Sequence, residues 1–309
     1  MRIVEIAQGK TRGVSMIQVD QWSRCSSLLL AAAIFMSAAT GNAQQWGELA
    51  AFGVEAFGPG ANECPGEDLN WAKNDATHIH DGFDDIGYTQ TEVWYDQGVD
   101  RRDWTHGVGD HIDPYGTDFA DVVFYAGHGL HRCDAATGFY WSRIVMGDDG
   151  DNGQTELCEV YSTDIRFGNG GEDQETDILI MAACETMHLC VWENDGYESM
   201  DYGAFNQING YHGISYDSET FTALYDNYVR DSAMDRIGEN WVDTFTDFNW
   251  FFSEDQCATS MVWCSSASNC DTQFTWGGFK DFYNTGSHTM SMFYYICDCN
   301  PDNGEALGC

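Results

Sequence analysis

The sequence predicts an α/β fold with a mostly parallel central sheet, and two apolar runs are the main reason. Ala120–Ala126 (ADVVFYA) and Asp177–Ala183 (DILIMAA) are nearly continuous apolar segments, as expected for strands buried on both faces of a parallel sheet. Segments with helical spacing lie before the first run and after the second. Strands that alternate with helices favour a layered α/β protein.

The other predicted elements follow from the spacing of apolar residues, from helix-capping residues and from β-branched and aromatic content. In Asp68–Asp85 the apolar residues recur every three or four positions, which predicts an amphipathic helix. A helix is also predicted over Ser218–Arg230, with Ser218 as its cap, and another over Ser232–Phe245. β-branched and aromatic content predicts four further strands, at Trp46–Phe57, Thr89–Tyr95, Tyr211–Tyr216 and Met290–Ile296.

The N-terminal region has the pattern of a secretory signal peptide. Arg24 precedes the apolar run 28–39, and small residues follow at Gly41-Asn42-Ala43. The run is shorter than the roughly 20 apolar residues of a membrane span. We therefore expect residues 1–43 to be removed, leaving an α/β domain at 44–252 and a cysteine-rich segment at 253–309. That segment either forms a small stapled subdomain or completes the same domain.

The charge is strongly acidic. The chain has 13 basic and 50 acidic residues and a net charge of −37. Nucleic acid is excluded as an expected partner, because binding it requires clustered Lys and Arg. No later segment is apolar enough to span a bilayer, so we expect a secreted protein without a stable membrane span. The sequence does not indicate an oligomeric state.

Eleven cysteines remain after the predicted cleavage, since Cys25 leaves with the signal. In an oxidising compartment most of them should pair. Eleven is odd, so at least one thiol stays outside the intramolecular pairs. The parity permits five disulfides and one nucleophile, but the sequence does not give the pairing.

Chemically useful side chains follow the two apolar strands. His128 comes directly after Ala120–Ala126 and Gly127, and Cys184 comes directly after Asp177–Ala183. Functional groups of open α/β sheets gather beyond the carboxyl ends of the strands. The two residues are 56 positions apart, close to the roughly 50 that separate histidine and cysteine in caspase-type sequences.

These blocks resemble the caspase-like superfamily of cysteine peptidases, which includes metacaspases, legumains, gingipains and clostripain. The similar features are VVFYAGHG, ILIMAAC, and Asn74-Asp75-Ala76 within the amphipathic helix. The resemblance covers roughly residues 46–216 and is closest to an uncharacterised secreted bacterial branch. It implies a three-layer sandwich around the mostly parallel sheet, with the cysteine-rich segment as a C-terminal extension.

The resemblance also implies a reaction and roles for residues. The Cys184 thiolate would attack the scissile carbonyl of a peptide or protein substrate, and His128 would protonate the leaving amine. The backbone N–H groups of Gly129 and Cys184 would form the oxyanion hole. A helix that begins at Glu185 would lower the pKa of the thiol. No cofactor is required for this chemistry.

Substrate specificity is less defined. Metacaspases usually carry an acidic residue two positions before the cysteine, where this chain has Ala182. No arginine of the kind that accepts a P1 aspartate flanks Cys184. Glu185 and Asp177 are the acidic candidates for a pocket that binds a basic P1 side chain.

Two metal sites are considered. Asp149, Asp151 and Glu156 offer oxygen ligands for Ca²⁺, although the EF-hand pattern is not met. Cys297 and Cys299 with His288 suggest zinc, but disulfides are the expected state of cysteines outside the cell.

Three other interpretations remain open at the level of sequence. Cys184 could form a disulfide with Cys190, which would remove the nucleophile. The chain could be a catalytically inactive extracellular binding module with an acidic, disulfide-stabilised surface. A cysteine transpeptidase would share the same dyad. Among the other histidines, His131, His188 and His212 do not follow a buried strand in the same way.

Overall fold

A computed structural model describes most of the chain after residue 45 and one short N-terminal strand. The described residues are 2–6, 46–57, 64, 66–99, 101–105, 117, 120–147, 158–165, 176–194, 206–248, 255–280, 290–296 and 299–300.

The central sheet has eight strands in the order β1-β11-β10-β9-β8-β4-β2-β3. The strands β3, β2, β4, β8 and β9 are mutually parallel, and β10, β11 and β1 add antiparallel pairs at one side. Their bounds are β1 Arg2–Ile6, β2 Trp46–Gly53, β3 Tyr88–Tyr95, β4 Val122–Ala126, β8 Ile178–Ala182, β9 Gln207–Tyr211, β10 Ala258–Cys264 and β11 Met290–Tyr295. The predicted α/β class with a mostly parallel sheet is confirmed.

The order in which the chain adds strands to the sheet reverses beside β2. The chain runs from β2 outward to β3 on one side, then returns to place β4, β8 and β9 in sequence on the other. In doubly wound α/β proteins such a reversal leaves a crevice at the carboxyl ends of the strands on either side of it. The candidate site lies at this edge of the sheet.

Helices cover one face of the sheet. They are α1 Ala72–Ile86, α3 Glu219–Asp231, α4 Ile237–Phe245 and α5 Ala267–Trp276. Their apolar residues form one buried cluster with alternate side chains of the strands, such as Phe124 and Ile180. α3 begins where the sequence predicts, because the Ser218 side chain accepts a hydrogen bond from the Phe221 N–H.

The opposite face is covered by different elements. A small antiparallel sheet is formed by β5 Gly129–Asp134, β6 Phe139–Val145 and β7 Glu159–Tyr161. Together with the short helix α2 Leu189–Glu193 it packs on the other set of strand side chains, such as Tyr125 and Met181. Sequence patterns did not indicate these elements, because β5 has no buried residue and the buried residues of β6 do not alternate regularly.

Four of the predicted elements differ from the structure by four or more residues at an end. The predicted helix 232–245 begins only at Ile237, and the predicted strand 46–57 ends at Gly53. α1 begins four residues later than predicted, at Ala72. The predicted strand Tyr211–Tyr216 is wrong, since the strand is Gln207–Tyr211 and the following residues form a loop. The strand was not recognised in the sequence because Gln207 and Asn209 are polar yet buried. The Gln207 side-chain amide donates to Asn209 Oδ1 and Ser260 Oγ, which satisfies it inside the sheet.

The described part of segment 253–309 belongs to the central sheet. β10 lies beside β9 and β11 lies beside β10. β1 pairs with β11 at the edge, although Arg2–Ile6 falls within the predicted signal peptide. Cleavage after Ala43 would remove β1 and leave β11 as the edge strand.

Four disulfides join described cysteines, namely Cys64–Cys158, Cys133–Cys190, Cys257–Cys299 and Cys264–Cys270. Within the described part of the chain, no helix has the length and apolar character needed to cross a membrane.

Candidate active site

The two candidate dyad residues occupy equivalent positions on neighbouring strands. Ala126, the last residue of β4, pairs in parallel register with Ala182, the last residue of β8. His128 and Cys184 each lie two residues beyond these partners. Because adjacent strands are about 4.8 Å apart, equal offsets bring the two segments side by side. Both residues are half-buried and line one cleft.

Cys184 lies outside the four disulfides. The predicted alternative, a bridge between Cys184 and Cys190, is not what the structure shows, since Cys190 pairs with Cys133. The Cys184 sulfur instead accepts a hydrogen bond from the Ser215 N–H, with a distance of 3.3 Å between nitrogen and sulfur. The same sulfur lies 3.7 Å from the Ser215 carbonyl oxygen, to which the thiol can donate. The main chain of Ser215 therefore holds the sulfur in place in either protonation state.

The expected helix at Glu185 is absent from this segment. Glu185 has a left-handed backbone, with φ of 57°, and α2 begins only at Leu189. The Glu185 N–H donates to the carbonyl of Gly213 and not to the cleft. A strained conformation in a residue that is not glycine persists only where the surroundings hold it in place. Here the turn redirects the chain immediately after the candidate nucleophile.

The His128 ring is held on its outer side. Its Nε2 lies 2.7 Å from the carbonyl oxygen of Glu67. A carbonyl only accepts, so Nε2 carries the proton in this contact and Nδ1 keeps a lone pair. The ring also packs against Phe57, with 4.6 Å between ring centroids. These contacts define the tautomer required of a base that takes a proton through Nδ1.

Gly129 has a clear steric role. A Cβ built at this position would lie 2.1 Å from the carbonyl oxygen of Cys184. Only glycine therefore allows β5 to leave the sheet so close to the Cys184 main chain. The oxyanion role of the Gly129 and Cys184 N–H groups stays a prediction.

Two acidic residues in the cleft were missed as candidates. Asp75 on α1 and Asp217 in the loop after β9 line the cleft together with His128 and Cys184. Asp75 is 7% exposed and accepts a hydrogen bond from the Thr222 hydroxyl. Burial raises the pKa of Asp75 to about 8. The Asn-Asp-Ala motif pointed to Asp75, whereas no local pattern marks Asp217.

The predicted acidic candidates lie elsewhere. The Glu185 carboxylate is turned away from the cleft, with Oε2 3.0 Å from His131 Nδ1. Asp177 precedes β8 and so lies at the end of the strand opposite Cys184. Burial, and the negative charge of Asp121, raise the pKa of Asp177 to about 7. The structure therefore brings neither residue into the cleft.

The rings of three further histidines, His131, His188 and His212, stack on one another. The rings of His131 and His188 are 3.7 Å apart, and those of His188 and His212 are 4.4 Å apart, measured between centroids. Burial and the two neighbouring rings lower the pKa of His188 to about 3. None of the three is among the described residues that line the cleft.

Of the predicted metal ligands, only Cys299 falls on a described residue. Asp149, Asp151 and Glu156, proposed for Ca²⁺, lie outside the described residues, as do His288 and Cys297. Cys299 is described and pairs with Cys257, not with a metal group.

The chain was compared with known proteins. No family model matches it, and no curated protein matches it. Among solved structures, it is similar to protein GSU0716 from Geobacter sulfurreducens, with a TM-score of 0.39 and 12% sequence identity. That likeness covers 63% of this chain and 88% of the other.

Proposed function

We propose that this protein is a secreted cysteine peptidase of the caspase-like superfamily, with Cys184 as nucleophile and His128 as general base and acid. The observation that carries the proposal is the matched placement of the two residues. Both lie two residues beyond paired strand ends and line one cleft. Nucleophilic catalysis by a thiol requires a base within reach of its proton, and the shared cleft is what supports His128 in that role.

The fold supports the caspase-like part of the proposal. The three blocks that carry the resemblance fall on α1, on the end of β4 and on the end of β8. β4 and β8 are adjacent parallel strands, so the order and placement agree with the resemblance. The four disulfides support an oxidising, extracytoplasmic location.

The proposed reaction uses the ring nitrogen of His128 that makes no contact with Glu67. His128 Nδ1 takes the proton of the Cys184 thiol, since Nε2 is held by the Glu67 carbonyl. The thiolate then adds to the scissile carbonyl, and the imidazolium gives its proton to the leaving amine. Water, activated by the same imidazole, hydrolyses the thioester that remains and regenerates the thiol.

The cleft suggests a basic P1 side chain. Asp75 and Asp217 line it, and a lysine or arginine side chain would pair with them. Asp75 is protonated in the empty cleft below about pH 8, because burial raises its pKa. A bound cation would favour its ionised form. These two residues take the role that the sequence analysis gave to Glu185 and Asp177.

The test is hydrolysis of fluorogenic peptides that differ only at P1, with and without Ca²⁺. We expect cleavage after arginine or lysine by the wild type and a loss of at least ~1000-fold in kcat/KM for Cys184→Ala and His128→Ala. Asp217→Asn should reduce cleavage after arginine more than cleavage after leucine. Equal rates for the wild type and Cys184→Ala would refute the proposal.

A further inference from the structure

A second group of reactive side chains lies outside the candidate active site. His131 and Cys133 are on β5, and His188 and Cys190 are at the start of α2. One potential ligand atom from each of the four lies within 4.8 Å of all the others. Among the described residues, this is the only group of at least three such side chains with that geometry.

The same three-residue pattern supplies both halves of this group. Each half is a His-x-Cys tripeptide, 131–133 on the strand and 188–190 at the helix. Alternate residues of a strand share a face, so His131 and Cys133 both point toward α2. His188 Nδ1 lies 3.9 Å from the Cys133 sulfur. Two imidazoles and two sulfurs therefore converge from two separate elements. The His131 and His188 rings are stacked, so they must turn about their side-chain bonds to aim a nitrogen each at one metal ion.

The Cys133–Cys190 disulfide differs from the other three in exposure. Cys133 is exposed and Cys190 is half-buried, whereas all six cysteines of the other described disulfides are buried. A disulfide is reduced by attack of a thiolate or phosphine on one of its sulfurs, so the rate depends on access. We therefore expect a reductant to open this disulfide before the three buried ones.

We propose that reduction of the Cys133–Cys190 disulfide converts this group into a four-ligand Zn²⁺ site formed by His131, Cys133, His188 and Cys190. A dithiol reductant supplies two electrons and two protons, the S–S bond breaks into two thiols, and the reductant becomes a disulfide. Zn²⁺ then binds both sulfurs as thiolates and displaces two protons. The four ligands complete a tetrahedral Cys2His2 set, which is typical of structural zinc.

A neighbouring carboxylate supports this assignment. Glu185 Oε2 lies 3.0 Å from His131 Nδ1 without hydrogen-bond geometry, and it accepts a hydrogen bond from the His131 backbone N–H. A turn of the ring would aim an Nδ1–H group at this carboxylate and leave Nε2 for a metal. Zinc-bound histidines generally donate their other N–H to a carboxylate or carbonyl, which orients the ring. Glu185 directly follows Cys184, so its left-handed turn both redirects the chain after Cys184 and places the carboxylate beside His131. In either redox state the group ties β5 to α2, and so the segment after His128 to the segment after Cys184.

The experiment uses the full chain with Cys184→Ala, so that this thiol does not contribute to metal binding. The folded protein is reduced with tris(2-carboxyethyl)phosphine without denaturant, freed of reductant under argon and titrated with Co²⁺. We expect one equivalent to bind with the visible d–d bands of tetrahedral cobalt and a thiolate-to-cobalt band. Stoichiometric Zn²⁺ should abolish both. The unreduced protein should show neither.

Three variants in the same background identify the site. Cys133→Ser/Cys190→Ser, reduced identically, measures any binding by other cysteines and should show no tetrahedral spectrum. His131→Gln keeps the disulfide in the unreduced protein and should lose the four-coordinate spectrum after reduction. Glu185→Gln should keep the spectrum and weaken affinity about 10-fold. His80→Gln, on the outer surface of α1, is the matched control and should bind as the parent does.

Two results would overturn the proposal. One is no tetrahedral cobalt signal in the reduced parent when thiol titration finds two more thiols than in the unreduced protein and circular dichroism shows a folded protein. The other is an unchanged signal in the His131→Gln or double-serine variants.

Discussion

Gly129 lies directly against the main chain of Cys184, and its missing side chain is a packing requirement. We predict that Gly129→Ala destabilises the protein by about 2–4 kcal/mol, because the new Cβ would lie 2.1 Å from the Cys184 carbonyl oxygen. The clash involves two backbones, neither of which can rotate away. Urea denaturation followed by tryptophan fluorescence measures the loss.

Gly98→Ala is the matched control, since the nearest atom to its Cβ would be 3.6 Å away, in ordinary contact. Its free energy of unfolding should change by less than about 1 kcal/mol. Equal effects of the two substitutions would contradict the steric role of Gly129.

Asp177 is a buried carboxyl whose contribution to stability depends on pH. Its folded-state pKa is raised to about 7, above the unfolded value, so the folded state holds the proton more tightly. This contribution is fully present below about pH 4 and is lost as the pH rises through about 7. Asp75 and Asp121, whose pKa values are also raised, act in the same direction.

We predict that Asp177→Asn is more stable than the wild type at pH 8 by about 2 kcal/mol and equally stable at pH 4. An asparagine has the same shape and keeps an acceptor for the Asn206 amide, but it does not ionise. Urea unfolding at several pH values measures the difference. Asp243→Asn, an exposed residue of α4, should show no such trend. A parallel pH profile for wild type and Asp177→Asn would contradict the prediction.

At the scale of elements, two distant carboxylates, of Asp217 and Glu55, hold the start of α1. Asp217 accepts hydrogen bonds from the N–H groups of Asn70 and Trp71, at 2.6 and 2.8 Å. Trp71, the N-cap of the helix, offers no capping side chain of its own. The periodicity of residues 68–85 predicted the helix but placed its start too early, because the acceptors at its start come from other segments. Asp217 binds the N–H groups just before the helix, and Glu55 accepts from the Lys73 N–H in its first turn.

Asp217→Ala should therefore destabilise the protein by about 1–3 kcal/mol and speed hydrogen exchange in the first turn of α1. Asp217→Asn keeps one acceptor oxygen and should lose less. The measurements are chemical denaturation and exchange followed by mass spectrometry. Unchanged exchange in the first turn of α1 for Asp217→Ala would show that the helix does not need this cap.

Among the strands, too, some were predicted from their own residues and others were not. β4 and β8 were predicted within two residues because their apolar runs are continuous and buried. β9 was misplaced because its buried Gln207 and Asn209 look like loop residues, and β10 was not predicted at all. Polar side chains inside a sheet are stable only when other elements supply their hydrogen bonds. That information is not present in the strand's own sequence.

At the scale of the whole molecule, the disulfides differ in how much chain they close. Cys64–Cys158 spans 94 residues, and Cys264–Cys270 spans 6. A cross-link stabilises mainly by restricting the unfolded chain, and its effect grows with the length of the loop. All four cysteines are buried, so replacement by serine removes a similar amount of apolar contact in each pair.

Cys64→Ser/Cys158→Ser should therefore cost about 5 kcal/mol, and Cys264→Ser/Cys270→Ser about 2 kcal/mol. Calorimetric unfolding of both double variants and the wild type measures the two losses. A larger loss from the short loop would contradict the chain-entropy explanation for this protein.

The sequence by itself determined the α/β class, the two central strands and the positions of His128 and Cys184 at their carboxyl ends. Apolar runs are local, and a buried strand is recognised from its own residues. Only the tertiary structure decided that β4 lies beside β8, that Asp75 and Asp217 enter the same cleft, and that Cys190 pairs with Cys133. These facts depend on contacts between residues far apart in the chain, which the local pattern of apolar and polar residues does not contain.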